Sequence, residues 1–217
     1  MLARRSMKLQ VSFDVTDLEE TQHVASQIAD YVDIFEIGTL LIYKYGIDAV
    51  KQFKELYPQH TILVDSKIVD RGKYAVTLFA HANADWVTVM AGTSREVIHS
   101  VTSAAHSFNK KVMLDLLDSS SVGQSALEAK NLGIDALLFH QPYDAAESLV
   151  FLEQWEMVRG NSAVPVFVSA KINRDNISDI LKIKPDGIII GSSIVNAEDP
   201  REAAEFFHNV MFPKNPE

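Results

Sequence analysis

The sequence predicts a single-domain (β/α)8 TIM barrel, and three observations carry that reading. Short apolar, β-branched runs recur along the whole of the 217 residues. Several are apolar throughout rather than alternating, as parallel strands covered on both faces are. Each is followed by a segment of helical period, and strict strand–helix alternation specifies a parallel sheet. The first run, 9–13, leads into helical period over 18–29, and the second, 34–37, into 47–56. The third, 62–64, precedes a helix predicted at 74–82, and the fourth, 86–90, one at 94–108. The runs at 112–117 and 136–139 are followed by helical segments at 122–131 and 145–158. The last two, 164–168 and 187–190, are followed by 176–183 and 200–210. Eight such units in a chain of this length fit a closed barrel better than an open doubly wound sheet, which stays as the alternative.

The punctuation repeats as well. Val32-Asp33, Ala84-Asp85, Ile134-Asp135 and Pro185-Asp186 each close a helical segment and precede an apolar run. The barrel is expected over 8–212, with a short extension at 1–7 and a tail at 213–217. The first turn lacks G-x-G-x-x-G and no G-x-x-x-x-G-K-[ST] occurs, so neither a dinucleotide fold nor a P-loop is predicted.

A chain that is 47% hydrophobic and 23% charged, without low-complexity tracts, has the composition of a globular domain. Its 29 acidic against 20 basic residues give a net charge of −9. That argues against a nucleic-acid or anionic-membrane partner, because phosphate contacts need clustered Lys and Arg. An anionic small molecule can still meet a locally basic site. The absence of cysteine excludes disulfides, a thiolate nucleophile, iron–sulfur clusters and cysteine-bound zinc, so any metal would be held by oxygen or histidine. The basic N-terminus is not continued by an apolar stretch, since Lys8, Gln10 and Asp14 interrupt it. No run of about 18 apolar residues occurs. The chain is therefore expected to be cytoplasmic, with Met7 read as its start and no membrane span.

In a barrel of this kind the chemistry sits where strands end and loops begin. The polar residues at those ends are Asp14, Glu36, the trio Asp65, Lys67 and Asp70, then Thr88, Asp115, His140, Ser169 and Gly191-Ser192-Ser193. Carboxylates and a lysine at the ends of buried strands are costly to desolvate, so their accumulation on one face marks a candidate site. The strongest local signal is Asp65-Ser66-Lys67-Ile68-Val69-Asp70. Two apart on a strand, Asp65 and Lys67 are expected to point the same way, into the mouth. Between two carboxylates Lys67 would stay protonated, suited to donating a proton or stabilising an enolate. A structural salt bridge is the other reading of the same spacing. His81, His99 and His106 show no ligand spacing.

The run from Asp65 through Lys67 to Asp70, followed by Arg71-Gly72, resembles the D-x-K-x-x-D motif of the orotidine 5′-phosphate decarboxylase suprafamily. Phe13-Asp14, Asp33-Ile34-Phe35-Glu36-Ile37-Gly38-Thr39 and Ala82-Asn83-Ala84-Asp85-Trp86-Val87-Thr88 resemble its branch of 3-hexulose-6-phosphate synthases and 3-keto-L-gulonate-6-phosphate decarboxylases. The resemblance runs from about Lys8 to Phe207 in the expected order. It implies a metal-dependent lyase of phosphorylated sugars, with a phosphorylated pentulose or hexulose as substrate. Glu36 and Asp65 would bind Mg²⁺, whose preference for carboxylate oxygen and retained water suits them. The metal and Lys67 would stabilise a cis-enediolate of the substrate, and Asp70 would reach the neighbouring subunit's site, which implies a homodimer with shared active sites. His140, in this resemblance, handles a proton beside the enediolate carbon, as an imidazole titrating near neutrality can.

Two reactions share that intermediate. The synthase adds formaldehyde to ribulose 5-phosphate; the decarboxylase removes CO₂ from 3-keto-L-gulonate 6-phosphate. Asp115 within Val112-Met113-Leu114-Asp115 is similar to the synthase, whose branch carries Asp there where the decarboxylase has Glu. Asn83-Ala84-Asp85-Trp86 and Gly72-Lys73 are closer to the decarboxylase. Asp115 lies nearer the chemistry, so the synthase is the expected activity. Two places depart from both patterns, Gln141-Pro142-Tyr143-Asp144 after His140 and Ser169-Ala170-Lys171 where the family presents Gly-Gly, whereas Gly191-Ser192-Ser193 retains the glycine and offers N–H groups and hydroxyls near a helix start. With Asp14 and Thr39, the residues Ser169, Lys171, Gly191, Ser192 and Ser193 are the candidate substrate-binding set, Lys171 supplying a point charge to a phosphate. A barrel that binds sugar phosphates without turnover is the alternative of another class.

Overall fold

A computed structural model describes residues 7–140 and 149–213. Its eight strands are β1 (Lys8–Phe13), β2 (Ile34–Ile37), β3 (Thr61–Ile68), β4 (Trp86–Met90), β5 (Lys111–Asp115), β6 (Ala136–His140), β7 (Val166–Ser169) and β8 (Gly187–Ile190). They close into a parallel barrel in chain order, with β8 pairing back onto β1, so the open-sheet alternative falls. Around it lie α1 (Leu18–Ile28), α2 (Thr39–Tyr45), α3 (Ile47–Leu56), α4 (Gly72–His81), α5 (Arg95–Ser107), α6 (Val122–Ala129), α7 (Leu149–Asn161), α8 (Ile177–Lys182), α9 (Ser192–Val195) and α10 (Pro200–Met211). Among the described residues no helix is long and apolar enough to cross a membrane.

The two-residue period of a strand decides which side chains reach the barrel axis. Leu9, Val11 and Phe13 of β1, Phe35 and Ile37 of β2, and Ile188 and Ile190 of β8 pack outward in the main core, between sheet and helices. The alternate residues Ile34, Leu63, Met113, Ala136, Leu138, Phe167 and Ile189 form a second buried cluster inside the barrel. The Phe167 ring fits there because Gly187 has no side chain: a Cβ would stand 2.3 Å from the ring. Continuing the same alternation toward the C-terminal ends brings Ser12, Glu36, Asp65, His140 and Ser169 into one cavity. One geometric rule thus fills the barrel's lower half with hydrocarbon and its mouth with acids and bases.

The aspartates that precede every second strand have a structural cause. Asp33 Oδ2 accepts the backbone N–H of Leu9 at 3.0 Å, Asp85 Oδ2 that of Ile62 at 2.8 Å, Asp135 Oδ2 that of Val112 at 2.8 Å and Asp186 Oδ2 that of Val166 at 2.8 Å. Each carboxylate therefore satisfies a backbone donor near the start of the preceding strand, where the parallel ladder has no partner for it. The sequence repeat is a register lock applied to successive strand pairs at the N-terminal end.

The structure also corrects several predicted bounds. β3 does not stop at Val64 but runs on through the motif to Ile68, with a register shift against β4 between Val64 and Ile68. β5 ends at Asp115, two residues short of the predicted run. Two short helices were not foreseen. α2 begins immediately after Gly38 and stops at Gly46, whose φ of 59° is in the left-handed region. α9 fills the loop between β8 and α10. Both are too short to show a helical period. The Gln141-Pro142-Tyr143-Asp144 departure and the first residues of the helix predicted at 145–158 lie outside the described residues.

Candidate active site

A cavity of about 480 Å³ opens at the C-terminal end of the barrel. Its lining includes Asp14, Glu36, Thr39, Asp65, Lys67 and His140, and further round the rim Ser169, Lys171, Gly191 and Ser192. Gly38 draws the first two strand ends together, its N–H donating to Phe13 O at 3.1 Å. A Cβ at Gly38 would lie 2.3 Å from that oxygen, so no other residue fits between Asp14 and Thr39 without moving backbone.

Lys67 is the hub. Its Nζ lies 3.1 Å from Asp65 Oδ2 and 3.1 Å from Asp115 Oδ2. Burial disfavours the ammonium, but the charges and hydrogen bonds of Asp65 and Asp115 outweigh that and raise its pKa above the ordinary lysine value. Lys67 is thus fixed as a cation between two carboxylates, as expected, although the second of them is Asp115 and not Asp70. Asp70 lies two residues beyond the end of β3 at Ile68 and stands in solvent, its side chain 79% exposed and outside the lining of the cavity.

Asp115 is wholly buried and also takes a 3.3 Å contact from His140 Nδ1. Burial pushes its carboxyl upward, but the His140 hydrogen bond and charge, then Lys67 and the Leu117 N–H, hold it below the usual range. His140 shows the mirror image: burial would lower its pKa, and the hydrogen bond and charge of Asp115 more than reverse that, so the ring binds a proton more tightly than a free histidine.

Glu36 is buried at 6% exposure, and burial together with the nearby Asp65 charge raises its pKa to about 7. Gln10 Nε2 donates to its Oε2 at 2.5 Å and Ser12 Oγ to its Oε1 at 2.9 Å, which oppose the rise. Gln10 Oε1 is buried with no hydrogen-bond partner. Among the described residues no group of three carboxylate or imidazole side chains converges on one point. Glu36 and Asp65 still offer what Mg²⁺ takes from proteins: two hard carboxylates whose mutual repulsion a cation relieves, with room for water and substrate oxygens. Gln10 and Ser12 escaped the sequence reading. Their signal was the alternation in Lys8-Leu9-Gln10-Val11-Ser12-Phe13, which turns both toward the axis beside Glu36.

The remaining candidates divide. Thr39 Oγ1 donates to Asp65 Oδ2 at 2.8 Å. Ser169 and Lys171 follow one another on the rim, Lys171 with a φ of 31° that a glycine would adopt more readily. Gly191 and Ser192 line the cavity, whereas Ser193 lies outside its lining and donates to Ile172 O at 2.7 Å.

The family model described as "Orotidine 5'-phosphate decarboxylase / HUMPS family" matches residues 7–207. A 3-hexulose-6-phosphate synthase of Staphylococcus aureus is 34% identical over 203 residues, covering 92% of this chain and 96% of the relative. The crystal structure of 3-hexulose-6-phosphate synthase from Salmonella typhimurium superposes with a TM-score of 0.88 at 30% identity, over 94% of this chain and 98% of that one. That of 3-keto-L-gulonate-6-phosphate decarboxylase from Vibrio cholerae superposes with a TM-score of 0.84 at 25% identity, over 96% of this chain and 100% of that one.

Proposed function

Since the chain belongs to the orotidine 5′-phosphate decarboxylase / HUMPS family, we propose that it is a carbon–carbon lyase of phosphorylated ketoses, a 3-hexulose-6-phosphate synthase that joins formaldehyde to ribulose 5-phosphate. The observation that carries this reading is Asp115, a short carboxylate at the end of β5 in contact with both Lys67 and His140. In the aldol direction the pentulose loses a proton from C1, and the resulting enediolate adds to formaldehyde. Lys67 supplies a preorganised positive charge where negative charge develops on the substrate oxygens. His140, held through Nδ1 by Asp115, offers its other ring nitrogen for moving the proton.

Glu36 and Asp65 would hold a Mg²⁺ ion, which supplies Lewis-acid stabilisation of the same oxygens. Lys171, Ser169, Gly191 and Ser192, at the ends of β7 and β8, would hold the phosphate, as the corresponding loops of many barrels do. Asp14 would bind a substrate hydroxyl. Asp70 would complete the site of a second subunit in a homodimer; the exposed Val69 and Tyr74 beside it favour a covered surface there.

The second reading, 3-keto-L-gulonate-6-phosphate decarboxylase, needs the same enediolate and is favoured by Asn83-Ala84-Asp85-Trp86. Paired assays separate the two: formaldehyde-dependent loss of ribulose 5-phosphate against CO₂ release from 3-keto-L-gulonate 6-phosphate, each with Mg²⁺. Turnover in the first and not the second is expected. Thermal stabilisation by either sugar phosphate without turnover in any direction would leave a binding barrel and overturn the lyase reading.

A further inference from the structure

The register between β3 and β4 breaks at the motif. β4 advances from Val87 to Val89 while β3 advances from Val64 to Ile68, so Asp65, Ser66 and Lys67 together stand opposite the single residue Thr88. Thr88 is 1% exposed and meets all three. Its hydroxyl donates to Asp65 Oδ1 at 3.0 Å and accepts the backbone N–H of Lys67 at 2.9 Å. Its backbone N–H donates to Ser66 Oγ at 3.1 Å, and its carbonyl accepts from the same hydroxyl at 2.8 Å. The Ser66 side chain thus takes the place that a backbone amide and carbonyl hold in a regular ladder.

The bulge has a chemical consequence. A regular strand would place Asp65 and Lys67 on one face with extended backbone, but Lys67 has a φ of 43°, a left-handed conformation that a lysine adopts only when held there. What holds it is the hydrogen bond from its N–H to the Thr88 hydroxyl. That hydroxyl also occupies Asp65 Oδ1, leaving Oδ2 to face Lys67 Nζ and Thr39 Oγ1. Both the backbone of the lysine and the rotamer of its carboxylate partner therefore depend on one buried side chain from the neighbouring strand. Bulges next to active sites commonly re-aim side chains in this way.

We propose that Thr88 is a positioning residue for the reaction: its hydroxyl fixes the bulge that sets Lys67 Nζ between Asp65 and Asp115. The proposal rests on the lyase reading for its kinetic consequence, and on nothing but the bulge for its structural one.

Thr88→Val keeps the branched shape and removes the hydroxyl; Thr88→Ala removes it without setting a methyl against Asp65; Thr88→Ser restores it. In the folded Val and Ala variants kcat should fall on the order of 10- to 100-fold, the cost of misplacing a group by about an ångström, with KM changed little and the Ser variant near the parent. Equal kcat per folded molecule in all variants would overturn the proposal, as would failure of both Val and Ala to fold while Ser folds, which would make Thr88 structural. A second readout does not need turnover. With lysine ¹³C-labelled at Cε and the Lys67 signal assigned by its loss in Lys67→Met, that signal should shift in the Val and Ala variants and return in Ser. If the parent turns over neither sugar phosphate, the lyase reading fails and this spectrum alone decides the positioning claim: an unmoved signal refutes it.

Discussion

Asp115 Oδ2 lies 3.1 Å from Lys67 Nζ, a contact between a fully buried carboxylate and a lysine held by a bulge two strands away. The same oxygen receives His140 Nδ1. Removing any member of this group leaves a buried charge without its partner, so the variants below are expected to separate chemistry from stability.

Lys67→Ala should fold and lose on the order of 10²- to 10³-fold in turnover, the usual cost of one preorganised donor to a developing oxyanion. It should also be less stable, because Asp65 and Asp115 then face one another uncompensated. Added Mg²⁺ should recover part of the stability and none of the activity. Steady-state kinetics alongside thermal melts checks this; near-normal turnover in the folded variant would discard the assigned role.

Asp115→Asn tests the pairing through pH. Because the folded pKa of His140 is raised, the stabilisation it draws from Asp115 is complete below its ordinary value of 6.5 and is lost as pH rises through the higher folded value. The stability gap between parent and Asn variant should therefore be widest in mild acid and narrow above neutrality. The part due to Lys67 persists throughout. Melts from about pH 5.5 to about pH 9 measure the gap, and a gap independent of pH would contradict the His140–Asp115 assignment.

Glu36 moves stability with pH in the same direction, but as a penalty above its pKa and not as a gain below it. With a folded pKa of about 7 against 4.5, the metal-free folded state holds a proton that the unfolded chain has released, so stability falls as pH climbs between those values. By pH 8 the deficit approaches roughly 3 kcal/mol. Glu36→Gln should relieve it, giving a metal-free protein more stable than its parent at pH 8, and should abolish any rise in Tm on adding Mg²⁺. A variant that is less stable at that pH and still stabilised by Mg²⁺ would refute the carboxylate as a metal ligand.

The opposite end of the barrel supplies the control. Asp135→Ala leaves the Val112 N–H without its 2.8 Å acceptor, which should cost about 1–3 kcal/mol of stability and leave kcat per folded molecule unchanged. Chemical denaturation and kinetics on one preparation test both halves.

What the sequence disclosed follows the same division. The strand runs, the aspartates before alternate strands and the polar residues at strand ends were legible because each is a local pattern with a local cause. The pairing of Lys67 with Asp115 was not, since the two are 48 positions apart and meet only because a barrel turns alternate residues of non-adjacent strands to one axis. On spacing alone Asp70 is the natural second partner, but β3 ends at Ile68 and Asp70, two residues further on, stands in solvent. Gln10 and Ser12 show a milder case: their alternation was visible, but only the Glu36 contact gave it meaning.

Formation of a phosphorylated ketose's enediolate in this cavity, its charge met by the Lys67 ammonium, is the step on which the proposed reaction turns. Deuterium wash-in reads that step without its second reactant. Ribulose 5-phosphate is incubated in D₂O with Mg²⁺ and the protein, formaldehyde omitted, and the C1 protons are followed by ¹H NMR. Stereospecific loss of one C1 proton signal is expected, slowed on the order of 10²-fold or more in Lys67→Ala. No exchange above background by folded parent protein that nonetheless binds the sugar phosphate would refute enediolate formation here, and equal exchange by parent and Lys67→Ala would refute the role of Lys67.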